Sequence, residues 1–329
     1  MVDIALSEDP PLLVQLALVQ RSHRADRGFR RLTLCCALAV LLMFIGIICA
    51  LVVGAWPALT QYGIAFVWTE AWNPVTDKFG ALAPIYGTLI TSFLAMLVSV
   101  PVGIGIAIFL TEICPRPLRR PIGIAVELLA GIPSIIYGIW GLFVLAPILQ
   151  EYFQPWVIAR FAGVPILSNL FAGPPYGIGI FTAALILAIM TLPFVTAITR
   201  DVFETVPPVL KEAAYGLGAT TSEVVMDVVL PYARGGVVGG VMLALGRALG
   251  ETMAVTFVIG NAHHIGVSLF APGTTISATI ANEFTEAVGD LYTSSLVELA
   301  LILFFVTTCV LAAAQYMLYR LELRAGGRA

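Results

Sequence analysis

The stretch PIYGTLITSFLAMLVSVPVGIGIAIFL, residues 84–110, contains no Asp, Glu, Lys or Arg. A helix rises about 1.5 Å per residue, so about 20 apolar residues cross the roughly 30 Å hydrocarbon core of a bilayer, and this run is longer than that. The stretch therefore predicts a membrane-spanning helix. On either side of it, five further apolar runs lie near 33–55, 122–148, 177–198, 236–260 and 296–318. Of the 329 residues, 59% are hydrophobic and only 11% charged, and the mean hydropathy of +0.97 lies far outside the range of soluble domains. The expected fold is all-α, a polytopic membrane protein of six transmembrane helices. A transmembrane β-barrel would instead show alternating segments of about 10 residues.

Positive charge is retained in short cytoplasmic loops, so the cations give an orientation. Arg21, Arg24, Arg27, Arg30 and Arg31 precede the first run; Arg116, Arg119 and Arg120 separate the second and third. Arg200, Lys211 and Arg234 lie between the fourth and fifth, and Arg320, Arg324 and Arg328 follow the sixth. The intervening loops hold only Lys78 and Arg160, and the last of the 17 cations, Arg247, falls inside the fifth run. Both termini are expected in the cytoplasm of a multi-pass protein. The net charge of −3 says nothing about partners, and nothing suggests nucleic-acid binding; membrane lipid is the expected surroundings. The five cysteines have no C-x-x-C spacing and read as small core residues, and no metal site is expected.

The expected organisation is a cytoplasmic tail over 1–32, a membrane domain over 33–320 and a second cytoplasmic tail over 321–329. The tail is expected to be retained, since its apolar stretch LLVQLALVQ is short and interrupted by Gln15. The outer loop 56–83 carries Trp56, Tyr62, Trp68 and Trp72 and reads as an interfacial aromatic belt, and the Pro- and Gly-rich segment 149–176 as a surface or re-entrant loop. His263 and His264 read as solvated, and Glu112 and Glu298 as span-end residues without a special role.

The cytoplasmic loop 199–235 is the most patterned part outside the membrane. Pro207 and Pro208 can open a helix, Leu210, Ala213, Ala214 and Leu217 give it an apolar face, and Gly216 or Gly218 can end it in a left-handed conformation. Thr220 with Glu223 matches a capping box for a second helix, which Pro231 is expected to stop. Two short helices hinged near Gly218 could plug into a partner's groove or lie on the bilayer surface.

The run EAAYGLGATTSEVVMDVVLP, residues 212–231, resembles the EAA loop of binding-protein-dependent ABC importer permeases. Glu212, Ala213, Ala214, Gly218, Leu230 and Pro231 fall on that pattern, and Val228 stands where Ile is usual. Within that family, ELLAGIPSIIYGIWG (127–141) and LGRALGETMAVTFVIGN (245–261) are similar to the phosphate-transport branch. The resemblance implies a type I ABC importer permease fold in a bacterial plasma (inner) membrane and no catalytic activity in this chain. It implies a second permease subunit, an ATPase dimer that uses ATP and Mg, and an extracytoplasmic phosphate-binding protein. The chain has no G-x-x-x-x-G-K-[ST] phosphate loop, in keeping with ATP hydrolysis on another polypeptide and no cofactor bound here.

An Arg at the centre of a membrane helix costs about 2.5–3.5 kcal/mol on insertion scales, and Glu251 adds to that. Four residues apart on one helix, Arg247 and Glu251 would stack on one face and neutralise each other, in the weaker of the two orders. Gly236, Gly240 and Ala244, then Gly246, Gly250 and Ala254, form a small-xxx-small pattern that marks the fifth span as interior. An Arg fork suits phosphate oxygens, so the expected substrate pathway includes Arg247, Glu251 and the neighbouring Thr252. The competing reading is a buried ion pair without substrate contact. An ABC permease for another oxyanion, and an ion-coupled secondary transporter with a proton relay, are the alternative functions.

Overall fold

The computed structural model describes the backbone of residues 12–326 and the side chains of Asp26 and of residues 28–320. Every regular element of the described chain is a helix, with two isolated bridges, Asn73–Lys78 and Gly260–Gly273. Its principal helices are α1 (Leu12–Tyr62), α2 (Leu82–Ile113), α3 (Arg116–Ala130), α4 (Ser134–Phe161) and α5 (Ile180–Glu204). After them come α6 (Pro208–Gly216), α7 (Thr221–Leu249), α8 (Met253–Thr256), α9 (Ile276–Glu283) and α10 (Asp290–Gly326). Six stretches, Gly28–Tyr62, α2, α4, α5, α7 and Asp290–Arg320, are long and apolar enough to cross a membrane. The chain belongs to the class that composition and run length predict.

The chain divides into two units that meet between Val53 and Gly54. The described part of the first is one helix, the portion of α1 up to Val53, whose Leu34, Val40, Leu42 and Met43 are exposed. Apolar side chains so presented suit lipid contact. The helical course from Leu12 includes the second half of the expected tail; residues 1–11 lie outside the described residues.

The second unit is built around α5, the most enclosed of the six spans. Its Ala183, Ile186, Leu187, Met190 and Val195 pack with Ala95 and Met96 of α2, Ala244 and Ala248 of α7, and Val258 and Ile259. Small residues set the helix spacing. A Cβ at Gly103 of α2 would lie 2.9 Å from Val195 Cγ1, and Cβ atoms at Gly236 and Gly240 of α7 would lie 2.6 Å from Val202 and Ile198. The small-residue stripe of α7 therefore does admit a neighbour, as expected, but the neighbour, α5, is the interior helix, and α7 flanks it. Two hydroxyls inside the bundle are satisfied by their own helices: Thr91 Oγ1 donates to Gly87 O at 2.7 Å and Thr191 Oγ1 to Leu187 O at 2.9 Å.

Four expected boundaries are corrected. The third run, 122–148, is not one helix: α3 ends at Ala130, Gly131–Pro133 interrupts it, and α4 starts at Ser134. Pro133 lacks an amide donor and restricts Ile132 before it, which accounts for the interruption. Tyr137 Oη spans the gap by donating to Leu129 O at 2.8 Å. Helix α4 then continues to Phe161 through two widened turns, Gly141–Leu145 and Leu149–Phe153, so the expected loop 149–176 begins a dozen residues later. Finally, Pro231 does not stop the helix that starts at Thr221. The turn Val224–Val229 opens to i→i+5 bonding just upstream of the proline, and α7 runs on to Leu249. That shifts the fifth span from 236–260 to 221–249.

Candidate functional site

Helix α7 ends where the fifth apolar run was expected to be at its centre. Gly250 terminates it, and Glu251 and Thr252 form a short connection to α8. Arg247 therefore sits in the last turn of a helix, where a cation is favoured by the partial negative charge of the carbonyl end. The side chain is exposed, and its guanidinium lies over the Phe194 ring of α5, 4.5 Å from the centroid. Glu251 is half-buried, and its Oε1 accepts from the Ala254 amide at 3.4 Å, at the start of α8. Among the described residues no ion pair joins Arg247 to Glu251, which corrects the expected stacking on one helix face. The helix stops too early for the i,i+4 geometry. Thr252 is half-buried; its carbonyl accepts from Thr256 Oγ1 at 2.8 Å.

The structure brings together the two segments singled out beside the loop. Ser134–Trp140 packs directly on α8. A Cβ at Gly138 would lie 2.8 Å from Phe257 Cδ2 and 3.0 Å from Met253 O, and one at Gly141 would overlap Ile186 Cδ1. The segments that follow the two breaks, at 131–133 and at 250–252, thus pack on each other. Non-helical backbone at membrane depth is tolerated where it is buried in protein or lines a polar cavity.

The loop between α5 and α7 is organised as its sequence predicts up to Thr220. Helix α6 ends at Gly216, and Gly218 takes φ +89°. Ala219 N donates to Ala214 O at 3.1 Å and Gly218 N to Tyr215 O at 2.9 Å, the pair of bonds of a Schellman cap. The capping box is present: Thr220 N donates to Glu223 Oε2 at 2.7 Å, and Glu223 N to Thr220 Oγ1 at 3.4 Å. Glu212 and Ala213 are exposed, Ala214 is half-buried, and Val209, Leu210, Tyr215 and Leu217 present apolar surface, Leu217 being 91% exposed. Leu230 and Pro231 continue into α7, so the pattern's end is the first part of a span.

Two polar arrangements escaped the sequence. Lys211 Nζ of α6 reaches Glu112 Oε1 at the end of α2 at 2.6 Å, with the Glu112 side chain only 6% exposed. On the far side, Glu283 accepts from Trp72 Nε1 at 2.6 Å and Tyr292 Oη at 2.7 Å, and its Oε1 lies 2.8 Å from His263 Nε2. His263 stacks on Trp72 with centroids 5.1 Å apart. His263 is thus a packed residue, not a solvated one, and Trp72 belongs to this cluster, not to a belt; Trp56 and Trp68 remain exposed. Burial alone would push the Glu283 carboxyl up, but the bonds from His263, Tyr292 and Trp72 outweigh it and hold the group below its ordinary value. These partners lie far apart in sequence, so no local spacing could reveal them. Among the described residues no cluster of His, Cys, Asp and Glu is arranged to hold a metal ion.

Residues 99–322 match the family described as the binding-protein-dependent transport system inner membrane component. The chain belongs to that family. The matched range takes in α7, the loop before it and both helix breaks. Among curated relatives, the chain is 68% identical to a phosphate transport system permease protein PstC from Mesorhizobium japonicum, covering 94% of this chain and 95% of that one. It is 56% identical to the PstC of Pasteurella multocida, over 92% and 95% of the two chains. At greater distance it is 39% identical to a probable PstC of Methanocaldococcus jannaschii, over 92% and 96%. Among solved structures, one chain of a bacterial alginate ABC transporter in complex with its pentasaccharide-bound periplasmic protein superposes with a TM-score of 0.60. That match has 18% identity and covers 90% of this chain and 97% of that one. The shared fold is the type I ABC importer permease, and the six apolar spans and the family together make this a multi-pass inner-membrane protein.

Proposed function

We propose that this family member is the transmembrane permease subunit of an ATP-driven phosphate importer, forming the translocation pathway with a second permease subunit. The observation that carries the reading is 68% identity, over nearly the whole chain, to a phosphate transport system permease. An exposed guanidinium at a helix end, held over an aromatic ring and without an ion-pair partner among the described residues, suits transient recognition of an oxyanion. The same family membership sets aside an ion-gradient-driven secondary transporter.

In this reading Arg247 meets phosphate, and Glu251 and Thr252 shape the connection beside it. Because a pathway must release what it binds, Glu251 nearby tempers the positive field. The exposed apolar face of α6, with Glu212, Ala213 and Ala214, docks in a groove of a partner ATPase dimer, and the Gly218 cap and the segment through Leu230 and Pro231 carry its motion into α7. ATP and Mg are used by that ATPase, an extracytoplasmic binding protein delivers phosphate, and both termini face the cytoplasm. Coexpression with a second permease and ATPase, then reconstitution into vesicles with the binding protein, tests this directly. Phosphate uptake is expected only with ATP. Uptake by this chain alone without ATP, or equal uptake of sulfate in the assembled system, would overturn the assignment.

A further inference from the structure

Helix α3 holds none of the residues assigned above to the pathway or the ATPase contact, yet it carries a dense group of cations, Arg116, Arg119 and Arg120. Arg116, Arg119 and Arg120 of α3 and Arg200 of α5 line one cavity of about 290 Å³ with Glu127 and Glu204. Their commitments differ. Arg200 is occupied, with Nη1 2.7 Å from Glu127 and Nη2 3.0 Å from Asp201, and Arg119 Nη2 donates to Thr111 O at 2.6 Å. Arg116 and Arg120 make no ion pair with any described residue. Two free guanidinia thus face a cavity whose carboxylates are already drawn toward Arg200, Glu204 weakly at 4.0 Å.

The sequence spacing adds direction. Arg116, Arg120, Ile124 and Leu128 recur every four residues, so they follow one another along one side of α3. Ile124 lines the cavity at 47% exposure, and Leu128, one turn further, is 67% exposed. A ligand for this stripe has an anionic end for the arginines and an aliphatic end for Ile124 and Leu128. Free phosphate satisfies only the first half. An amphipathic helix with basic and aliphatic side chains, joined directly to the end of a span, is the geometry of a segment at the membrane boundary.

We propose that this cavity is a binding site for the headgroup of an anionic phospholipid, with Arg116 and Arg120 forking its phosphate and the acyl chains lying along Ile124 and Leu128. The bound lipid would anchor α3 beside the interruption at Gly131–Pro133, and so hold one of the two helix breaks in place. The inference needs α3 to lie at the bilayer surface and does not depend on the transported anion.

The test uses the assembled transporter in nanodiscs of phosphatidylcholine with and without phosphatidylglycerol, reading retained lipid by native mass spectrometry. Arginines near an anionic lipid surface each add attraction for it, so Arg116→Gln with Arg120→Gln is expected to weaken phosphatidylglycerol retention roughly ten-fold or more. Phosphatidylcholine retention and binding of inorganic phosphate should not change. Unchanged phosphatidylglycerol retention would overturn the proposal, as would a variant that loses inorganic phosphate binding instead. Should the double variant fail to assemble, a photoactivatable phosphatidylglycerol on the unaltered transporter gives a second reading. Crosslinks on α3 are expected; crosslinks that avoid it, or contact of α3 with the partner permease in its place, would refute the site.

Discussion

At the residue scale, the charges divide into those that hold structure and those left available. Arg247 belongs to the second kind, and its charge-assisted hydrogen bonds to an oxyanion are each worth about 1.5–3 kcal/mol. Arg247→Gln in the assembled transporter is therefore expected to lower phosphate uptake roughly ten-fold or more, with normal assembly by size exclusion. Normal uptake would remove Arg247 from the pathway. Glu283 belongs to the first kind. Its folded pKa lies below the unfolded value of about 4.3, so its contribution to stability is complete above that range and disappears as pH falls through the folded value. Thermal unfolding of the unaltered protein should lose stability below about pH 4.3 more steeply than Glu283→Gln does. At neutral pH that substitution is expected to cost about 1–3 kcal/mol, because it leaves Trp72, His263 and Tyr292 facing an amide.

At the element scale, caps and breaks decide what the apolar runs leave open. Gly218 tests a backbone effect in isolation, since a Cβ there would meet nothing within 4 Å while φ is +89°. Gly218→Val should cost on the order of 1–2 kcal/mol and uncouple ATP hydrolysis from uptake, while Gly218→Asn, tolerant of left-handed backbone, should retain more coupling. Equal coupling in all three proteins, from paired ATPase and uptake assays, would count against the cap as a transmission element. The opposite logic applies at Gly138, where the Met253 carbonyl leaves no room: Gly138→Val is expected to separate α4 from α8 and lower the melting temperature by several degrees. The cap and capping box were legible because each is written in residues three or four apart. The ends of α7 and α3 were not, because hydropathy does not register whether a backbone is still helical: Val255, Val258 and Ile259 are as buried past the break as a continued span would make them.

At the scale of the molecule, class, fold and loop were legible, while pairings across the bundle were not. Lys211 with Glu112, and Glu283 with Trp72 and His263, depend on which loops the helices carry together, and composition does not encode that. Glu112→Gln should therefore weaken the hold of α6 on α2 without altering any span. The expected outcome is an ATPase rate that persists while uptake per ATP falls; unchanged stoichiometry would mean the bridge is only structural.

In the proposed reading that bridge also gives α2 a mechanical part. One end is tied to α6 through Glu112. The other end is seated so closely on the Thr274 backbone that Gly87 has no room for a Cβ, and Thr88 Oγ1 accepts the Ile276 amide at 3.0 Å. A helix tied at both ends links what it is tied to, and in α2 the ladder between those ties is interrupted only at Pro101 and in the widened turn Phe109–Ile113. In the proposed reading, motion imposed on α6 at one end of α2 would reach the loop before α9 at the other end along a single piece of the chain.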